Sequence, residues 1–312
     1  MPIAANEWAL SEDQGFEAEM PGLWGDWGCS SEIGRLRAVL LRRPGAEIET
    51  LPEDLSSVLF VERMDAERAR AQHDAMADLY RANGVQVHYI ERMQEHEPNG
   101  MFVRDLVAMT PEGAIVARPG TLVRRGEARY AAEALARLGV PIVRTVCGSG
   151  TFEGADLMWA NRDLAFVGIS RRTNVEGNRQ VRAELERMGV GEIVTLQVPW
   201  SEAHFDGLMT ILDRKLAMVY TSQVPYPAVE ALRRHGFKIL EVDSEREVRH
   251  GMALNVVALE PGRVILPVGE NKETAKMMQK AGVEILSVDL SELNKGAGSI
   301  HCMTAFLKRD EL

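Results

Sequence analysis

A cysteine, a histidine and several carboxylates recur at regular distances along this chain, and together they suit attack on an electron-poor carbon carried by a cation. Cys302 lies in Lys295-Gly-Ala-Gly-Ser-Ile-His-Cys-Met-Thr. Glycines before it let backbone approach a substrate closely and leave N–H groups available. His204, in Ser201-Glu-Ala-His-Phe-Asp, is the side-chain type that exchanges a proton with a thiol or a leaving group near neutral pH. Glu153 and Asp156 flank Gly154 and Ala155, a tight approach that aims both carboxylates inward, and Asp105 and Asp206 add two more. A guanidinium keeps its charge throughout the working pH range and presents a planar fork of donors, which carboxylates match with paired hydrogen bonds. Arg171 and Arg172, placed between a strand and a helix, can take the carboxylate end of an amino acid, and Arg124 and Arg125 stand in a similar place.

The spacing is itself a signal. Asp105, Asp156, Asp206, Asn255 and Cys302 open five similar segments, and the steps between them are 51, 50, 49 and 47 residues. Asp105-Leu-Val-Ala-Met-Thr-Pro-Glu-Gly-Ala-Ile-Val-Ala aligns with Asn255-Val-Val-Ala-Leu-Glu-Pro-Gly-Arg-Val-Ile-Leu-Pro. A near-constant period of this length marks a repeat architecture. Arranged around an axis, the five copies bring three carboxylates, an amide and a thiol to the centre.

Each copy reads as strand, turn, strand, helix, strand. Second strands are expected at 114–117, 164–168, 216–220 and 264–267, and helices at 127–138, 175–188, 227–235 and 272–281. Glycine follows each helix, where the left-handed cap carries no Cβ penalty. Third strands follow at 140–146, 193–198, 237–242 and 283–288. The fifth copy is split: residues 302–308 supply its first strand, 36–42 its second, 65–82 its helix and 85–90 its third. Sharing one unit between the chain ends closes a ring with no sheet edge at the junction. The expected fold is therefore an α/β, five-bladed, pseudo-symmetric propeller in one catalytic domain, residues 34–312. The competing doubly wound sheet fits the strand-pair-helix order poorly. Residues 1–33, with Trp8, Trp24 and Trp27, stand outside the repeat as a tail or a flap, and 51–63 form a second candidate lid.

Bulk properties narrow the partners. Net charge is −10, which argues against nucleic acid and anionic membrane and suits a cationic small molecule. Three widely spaced cysteines, Cys29, Cys147 and Cys302, form neither a disulfide framework nor a zinc pattern, so a reducing cytoplasm is expected. The first residues lack the basic and apolar regions of a signal peptide, and no run approaches the roughly 18 apolar residues of a membrane helix. Homo-oligomerisation is left open.

The combination Phe102-Val-Arg-Asp105, Phe152-Glu-Gly-Ala-Asp156, His204-Phe-Asp206 and His301-Cys302-Met-Thr resembles the guanidino-group modifying superfamily. Its members include arginine deiminases, dimethylargininases and amidinotransferases, all built on the five-bladed pentein fold. The resemblance covers about residues 34–308. It implies Cys302 as nucleophile, His204 as acid and base, and Glu153 as the acid that partners histidine or substrate. It implies Asp105 and Asp206 as the carboxylates holding the guanidinium, with Phe102 and Asp156 counted among the substrate-binding residues. Asn99 and Arg172 match positions at the amino-acid end of the substrate, and Arg124 matches more loosely. Gly168-Ile-Ser-Arg-Arg-Thr-Asn looks like a dimethylargininase, whereas His-Cys-Met-Thr looks like a deiminase or amidinotransferase, so the subfamily stays open.

The expected reaction is attack of the Cys302 thiolate on a guanidinium carbon, loss of ammonia or an alkylamine, and hydrolysis of the S-amidino intermediate to a ureido product. No cofactor and no metal are required. Three rivals remain: an amidinotransferase in which an amine replaces water, a propeller used only as a binding scaffold, and a metal site. The last is suggested because Ala-His-X-Asp resembles half of an arginase manganese site, although the second carboxylate cluster is missing.

Overall fold

In the computed structural model, which describes residues 15–91 and 97–312, each repeat folds into a three-stranded sheet. The four continuous copies have strands at Val107–Thr110, Gly113–Val116 and Ile142–Thr145; Leu157–Asn161, Leu164–Ile169 and Glu192–Gln197; Met209–Asp213, Leu216–Tyr220 and Lys238–Val242; and Val257–Glu260, Arg263–Pro267 and Glu284–Val288. First and second strands pair antiparallel; second and third pair parallel. A parallel pair needs a long crossover, and the helices Ala128–Leu138, Val175–Arg187, Tyr226–Arg234 and Lys272–Lys280 supply it. The middle strands are apolar runs, buried on both faces because a helix covers one side and a neighbouring sheet the other. The third strands lie outermost and are partly exposed.

The fifth sheet joins the chain ends as expected. Ala305–Arg309 runs antiparallel to Leu36–Leu41, with Val39 opposite Phe306, and Leu36–Leu41 runs parallel to Gln86–Tyr89 after the helix Ala66–Ala82. Helix bounds agree with the sequence reading to within one residue. Gly139 closes the first of the continuous helices at φ 77°, a conformation open to glycine without strain.

The first strands differ from expectation. They begin one to three residues later than the polar positions, four of which occupy short helical turns, Val103–Asp105, Gly154–Asp156, Phe205–Gly207 and Ile300–Met303, while Asn255 stands in the loop just before its strand. Such a turn leaves the ladder, so its side chain escapes the alternation of the pleat and can project toward the axis.

The segment before the repeat is neither free nor folded over the site where it is described. Helix Phe16–Leu23 buries Met20, and Glu17 pairs with Arg162 at 2.7 Å. Gly28 bridges Lys308, Cys29 N donates to Thr110 O, and Glu32 N donates to Trp159 O. Ser31, Glu32 and Ile33 are buried. Trp8 falls outside the described residues. Among the described residues no helix is long and apolar enough to cross a membrane.

Candidate active site

The helical turns bring their polar residues to one end of the axis, around a cavity of about 470 Å³. Cys302, His204, Asp105, Asp206 and Asn255 line it, together with Asn99, Phe102, Arg124 and Arg172. Part of its wall is the candidate lid: Leu59, Phe60 and Val61 line the cavity, Asn99 Nδ2 donates to Val58 O at 2.8 Å, and Val61 N donates to Lys295 O at 2.9 Å. Among the described residues the three non-glycine residues with positive φ are Leu59, Met252 and Ala297, and all three line this cavity. Backbone held in sparsely populated conformations concentrates at functional sites because the surroundings must over-determine it.

Cys302 is held by Asn255. The Asn255 Oδ1 accepts from the backbone N–H of His301 at 2.7 Å and of Cys302 at 3.3 Å, which fixes the amide so that Nδ2 donates to the Cys302 sulfur at 2.9 Å. The sulfur also lies 3.8 Å from Asp206 Oδ2. Burial, then the charges of Asp206 and Asp105, raise the thiol pKa well above its usual value. The unliganded site therefore holds a protonated thiol. Phe102 packs on the glycine loop before Cys302, where a Cβ at Gly298 would collide with its ring.

His204 is a cation. Its Nε2 meets Glu153 Oε2 at 2.6 Å and its Nδ1 lies 3.8 Å from Asp105 Oδ1. Burial disfavours the charged ring, but Asp105, Glu153 and Asp156 outweigh burial and lift its pKa to about 9. Glu153 is wholly buried behind the cavity, where burial is overcome by His204, Arg124 and Arg172, and its carboxyl falls to about 2. Gly120 N donates to Glu153 Oε1 at 3.0 Å, so the carboxylate is oriented as well as ionised.

Two expected substrate contacts fall elsewhere. Asp156 is wholly buried and off the cavity wall: its Oδ1 accepts from Phe205 N at 3.0 Å and its Oδ2 from Ser170 Oγ at 2.7 Å. It anchors the turn carrying His204 and Asp206 rather than a ligand. Burial raises its pKa to about 6. Arg124 lines the cavity, but its Nε bonds Glu127 at 2.9 Å, its Nη1 bonds Asp105 Oδ2, and its Nη2 bonds the carbonyl oxygens of Asn99 and Phe102. Its donors are engaged, so it orients Asp105. Asp105 Oδ1 is buried without a hydrogen-bond partner, and so is Arg172 Nη1, 3.5 Å from Glu153 Oε1. An orphaned acceptor and an orphaned donor on one cavity wall are the groups a ligand would satisfy.

Asp105, Glu153 and His204 place one donor atom each within 4.8 Å of one another, a set able to hold a cation. Arg124 already brings a guanidinium to Asp105 and within 3.9 Å of Glu153, which opposes a metal ion there.

Sequence reasoning missed three residues. His301 Nδ1 bonds Asp206 Oδ2 at 2.8 Å, Glu32 approaches His301 from the segment outside the repeat, and Arg104 pairs with Glu32. His301 stands in the same motif as Cys302 and was visible there; Glu32 has no periodic signal because the repeat excludes it.

Strand-pair, helix and strand five times over, with a thiol, an imidazolium and carboxylates gathered at the axis, place the chain among the pentein enzymes that modify guanidino groups. Within that class the family model of N,N-dimethylarginine dimethylhydrolase, eukaryotic, matches residues 57–309, and the chain belongs to this family. An N(G),N(G)-dimethylarginine dimethylaminohydrolase of Pseudomonas aeruginosa is 30% identical over 241 residues, covering 77% of this chain and 89% of the relative. A solved structure of the Pseudomonas aeruginosa dimethylarginine dimethylaminohydrolase, a mutant complexed with citrulline, matches with TM-score 0.73 and 26% identity over 87% of this chain and 99% of that chain. An amidinotransferase of Microseira wollei matches in fold, with TM-score 0.75 at 17% identity, covering 92% of this chain and 98% of that chain.

Proposed function

We propose that the protein hydrolyses the guanidino group of arginine, a methylated arginine or a related guanidino compound through a covalent S-amidino intermediate on Cys302. The observation that carries this reading is the sharing of one cavity by the Cys302 thiol, the His204 cation and the orphaned carboxylate oxygen of Asp105. The guanidinium of the substrate enters between Asp105 and Asp206, satisfying the Asp105 oxygen. Its positive charge offsets the carboxylates that hold the thiol protonated, so the thiol releases its proton to solvent as the complex forms and the thiolate exists there rather than in the free enzyme. The thiolate forms a bond to the guanidinium carbon. His204, already protonated, gives its proton to the departing nitrogen as the C–N bond breaks, releasing ammonia or an alkylamine. The neutral imidazole then takes a proton from water as water adds to the S-amidino carbon. Collapse expels the thiolate and leaves the ureido product. Glu153 keeps His204 oriented and returns its pKa to the protonated side. The unpaired donor on Arg172 suits a carboxylate at the far end of the substrate. A cavity of about 470 Å³ is of the size that encloses a small ligand.

An amine replacing water in the second half would make the protein an amidinotransferase, and the same residues serve both. The experiment is incubation with arginine, methylated arginines and agmatine, with and without glycine or ornithine, and identification of products by mass. Ureido products independent of added amine support the hydrolase; amidino transfer to the amine selects the alternative. Acid quench should trap an amidino adduct on Cys302, and Cys302→Ser should lose roughly three or more orders of magnitude in turnover while still binding substrate. Near-normal turnover of the serine variant refutes the nucleophile assignment.

A further inference from the structure

Behind the nucleophile runs a buried chain of alternating charges of which the proposed chemistry uses only the first member, Asp206. Asp206 Oδ2, 3.8 Å from the Cys302 sulfur, bonds His301 Nδ1 at 2.8 Å. The opposite ring nitrogen, His301 Nε2, meets Glu32 Oε2 at 3.2 Å. Glu32 Oε1 accepts from Arg104 Nη2 at 2.9 Å, and that nitrogen also donates to Leu157 O at 2.8 Å. All four side chains are buried, and none but Asp206 lines the cavity. The His301 ring packs edge-on against Phe306, with centroids 5.6 Å apart.

Ionised carboxylates only accept hydrogen bonds. With Arg104 on Glu32 and the imidazole on Asp206, both acids lie below the usual carboxylate range despite burial, Glu32 at about 2. A ring with one N–H would turn a lone pair toward one of these anions. Only the doubly protonated ring satisfies both. Burial and Arg104 disfavour that charge, Asp206 and Glu32 favour it, and the balance raises the His301 pKa above its ordinary value.

We propose that His301 is a standing cation that screens Asp206 from the Cys302 thiol, and that Glu32, delivered by the segment outside the repeat, keeps it so. This rests on the reading of Cys302 as nucleophile and deepens it. Asp206 faces conflicting demands. Its charge attracts a guanidinium, yet at 3.8 Å the same charge opposes formation of a thiolate. A cation on the far side of the carboxylate keeps an acceptor in the cavity while reducing the net charge felt at sulfur. His301 acts through Asp206 and is a positioning residue.

The test is the pH dependence of Cys302 alkylation by iodoacetamide, read by mass on the Cys302 peptide so that the exposed Cys147 does not contribute. The reagent is neutral, so the thiol is read without reference to any substrate. His301→Gln should raise the apparent thiol pKa by roughly one unit, a tenfold slower reaction on the rising limb. Glu32→Gln keeps the shape and one acceptor but removes the second anion. His301 then loses its proton at lower pH, so the alkylation profile gains an inflection: wild-type rates below it, rates like His301→Gln above it. A His301→Gln profile that coincides with wild type, even with a lowered melting temperature, overturns the proposal. Should His301→Gln fail to fold, ¹⁵N-histidine spectra of wild type and Glu32→Gln decide. One imidazolium must titrate at lower pH in the variant, and the absence of any such change overturns the proposal too. If no guanidino compound is turned over while these shifts appear, the functional reading fails and the screening remains.

Discussion

Asn255 donates through Nδ2 to the sulfur of Cys302 at 2.9 Å, while two backbone N–H groups clamp its Oδ1. The clamp makes the donor's direction obligatory, so the ring position that carries an amide is the one that solvates the thiolate. Asn255→Asp keeps the shape, removes the donor and adds a charge beside the sulfur. A lost hydrogen bond to a charged group costs about 1.5–3 kcal/mol, or roughly 10- to 150-fold in kcat/KM. Iodoacetamide alkylation should slow with it. Activity within twofold of wild type would mean that Asn255 serves only the backbone.

Glu153 sets the protonation state of His204, and the sign follows from the charge. Removing the anion in Glu153→Gln disfavours the imidazolium, so the alkaline limb of kcat/KM, set by loss of the His204 proton near pH 9 in the free enzyme, should move to lower pH by a unit or more. Stability obeys the same sign. The raised pKa of His204 contributes stability fully below its ordinary value of 6.5, and the contribution disappears as pH rises through about 9. Thermal melts of wild type across pH 6–10 should show this decline, and the variant should show less of it. An unmoved alkaline limb would detach His204 from the proton transfer.

Asp105 and Asp206 line the cavity beside Cys302, whereas the third carboxylate on its wall, Glu202, is paired with Arg249 at 2.9 Å. Asp105→Asn or Asp206→Asn removes one charge from a desolvated cation site, at a cost of about 2–5 kcal/mol, or roughly 30- to several-thousand-fold in kcat/KM for arginine. Arg172→Ala should weaken arginine and spare agmatine, which lacks the carboxylate. Measured on both substrates, losses within twofold for both Asn variants would end the guanidinium assignment whatever the fold.

Chelation should leave activity intact, because the Arg124 guanidinium already lies against the carboxylates that an ion would need. A preparation inactivated by exhaustive chelation and revived by manganese would reverse that assignment.

The period of about fifty residues, the glycine after each helix and the split fifth unit were legible from residues alone, because each is a local property: an apolar run, a cap, a spacing. The types of the ring residues announced the chemistry for the same reason. Local pattern could not say that Asp156 turns away from the cavity to hold Phe205 N and Ser170 Oγ, since it shares the ring spacing with Asp105 and Asp206. Nor could it say that Arg124 is engaged by Glu127, Asp105 and two carbonyl oxygens.

By itself, then, the sequence determined the repeat, the closure of the ring and the set of groups brought to its centre. Only tertiary structure decided which carboxylate meets which cation. Glu153 reaches His204 across 51 residues, and Glu32 reaches His301 across 269. Pairings of that separation follow from where the blades stop against each other and from how deeply each side chain is buried. Burial makes every unpaired charge costly, so the partner, rather than the residue type, sets whether an acid orients a base, holds a loop or waits for a ligand.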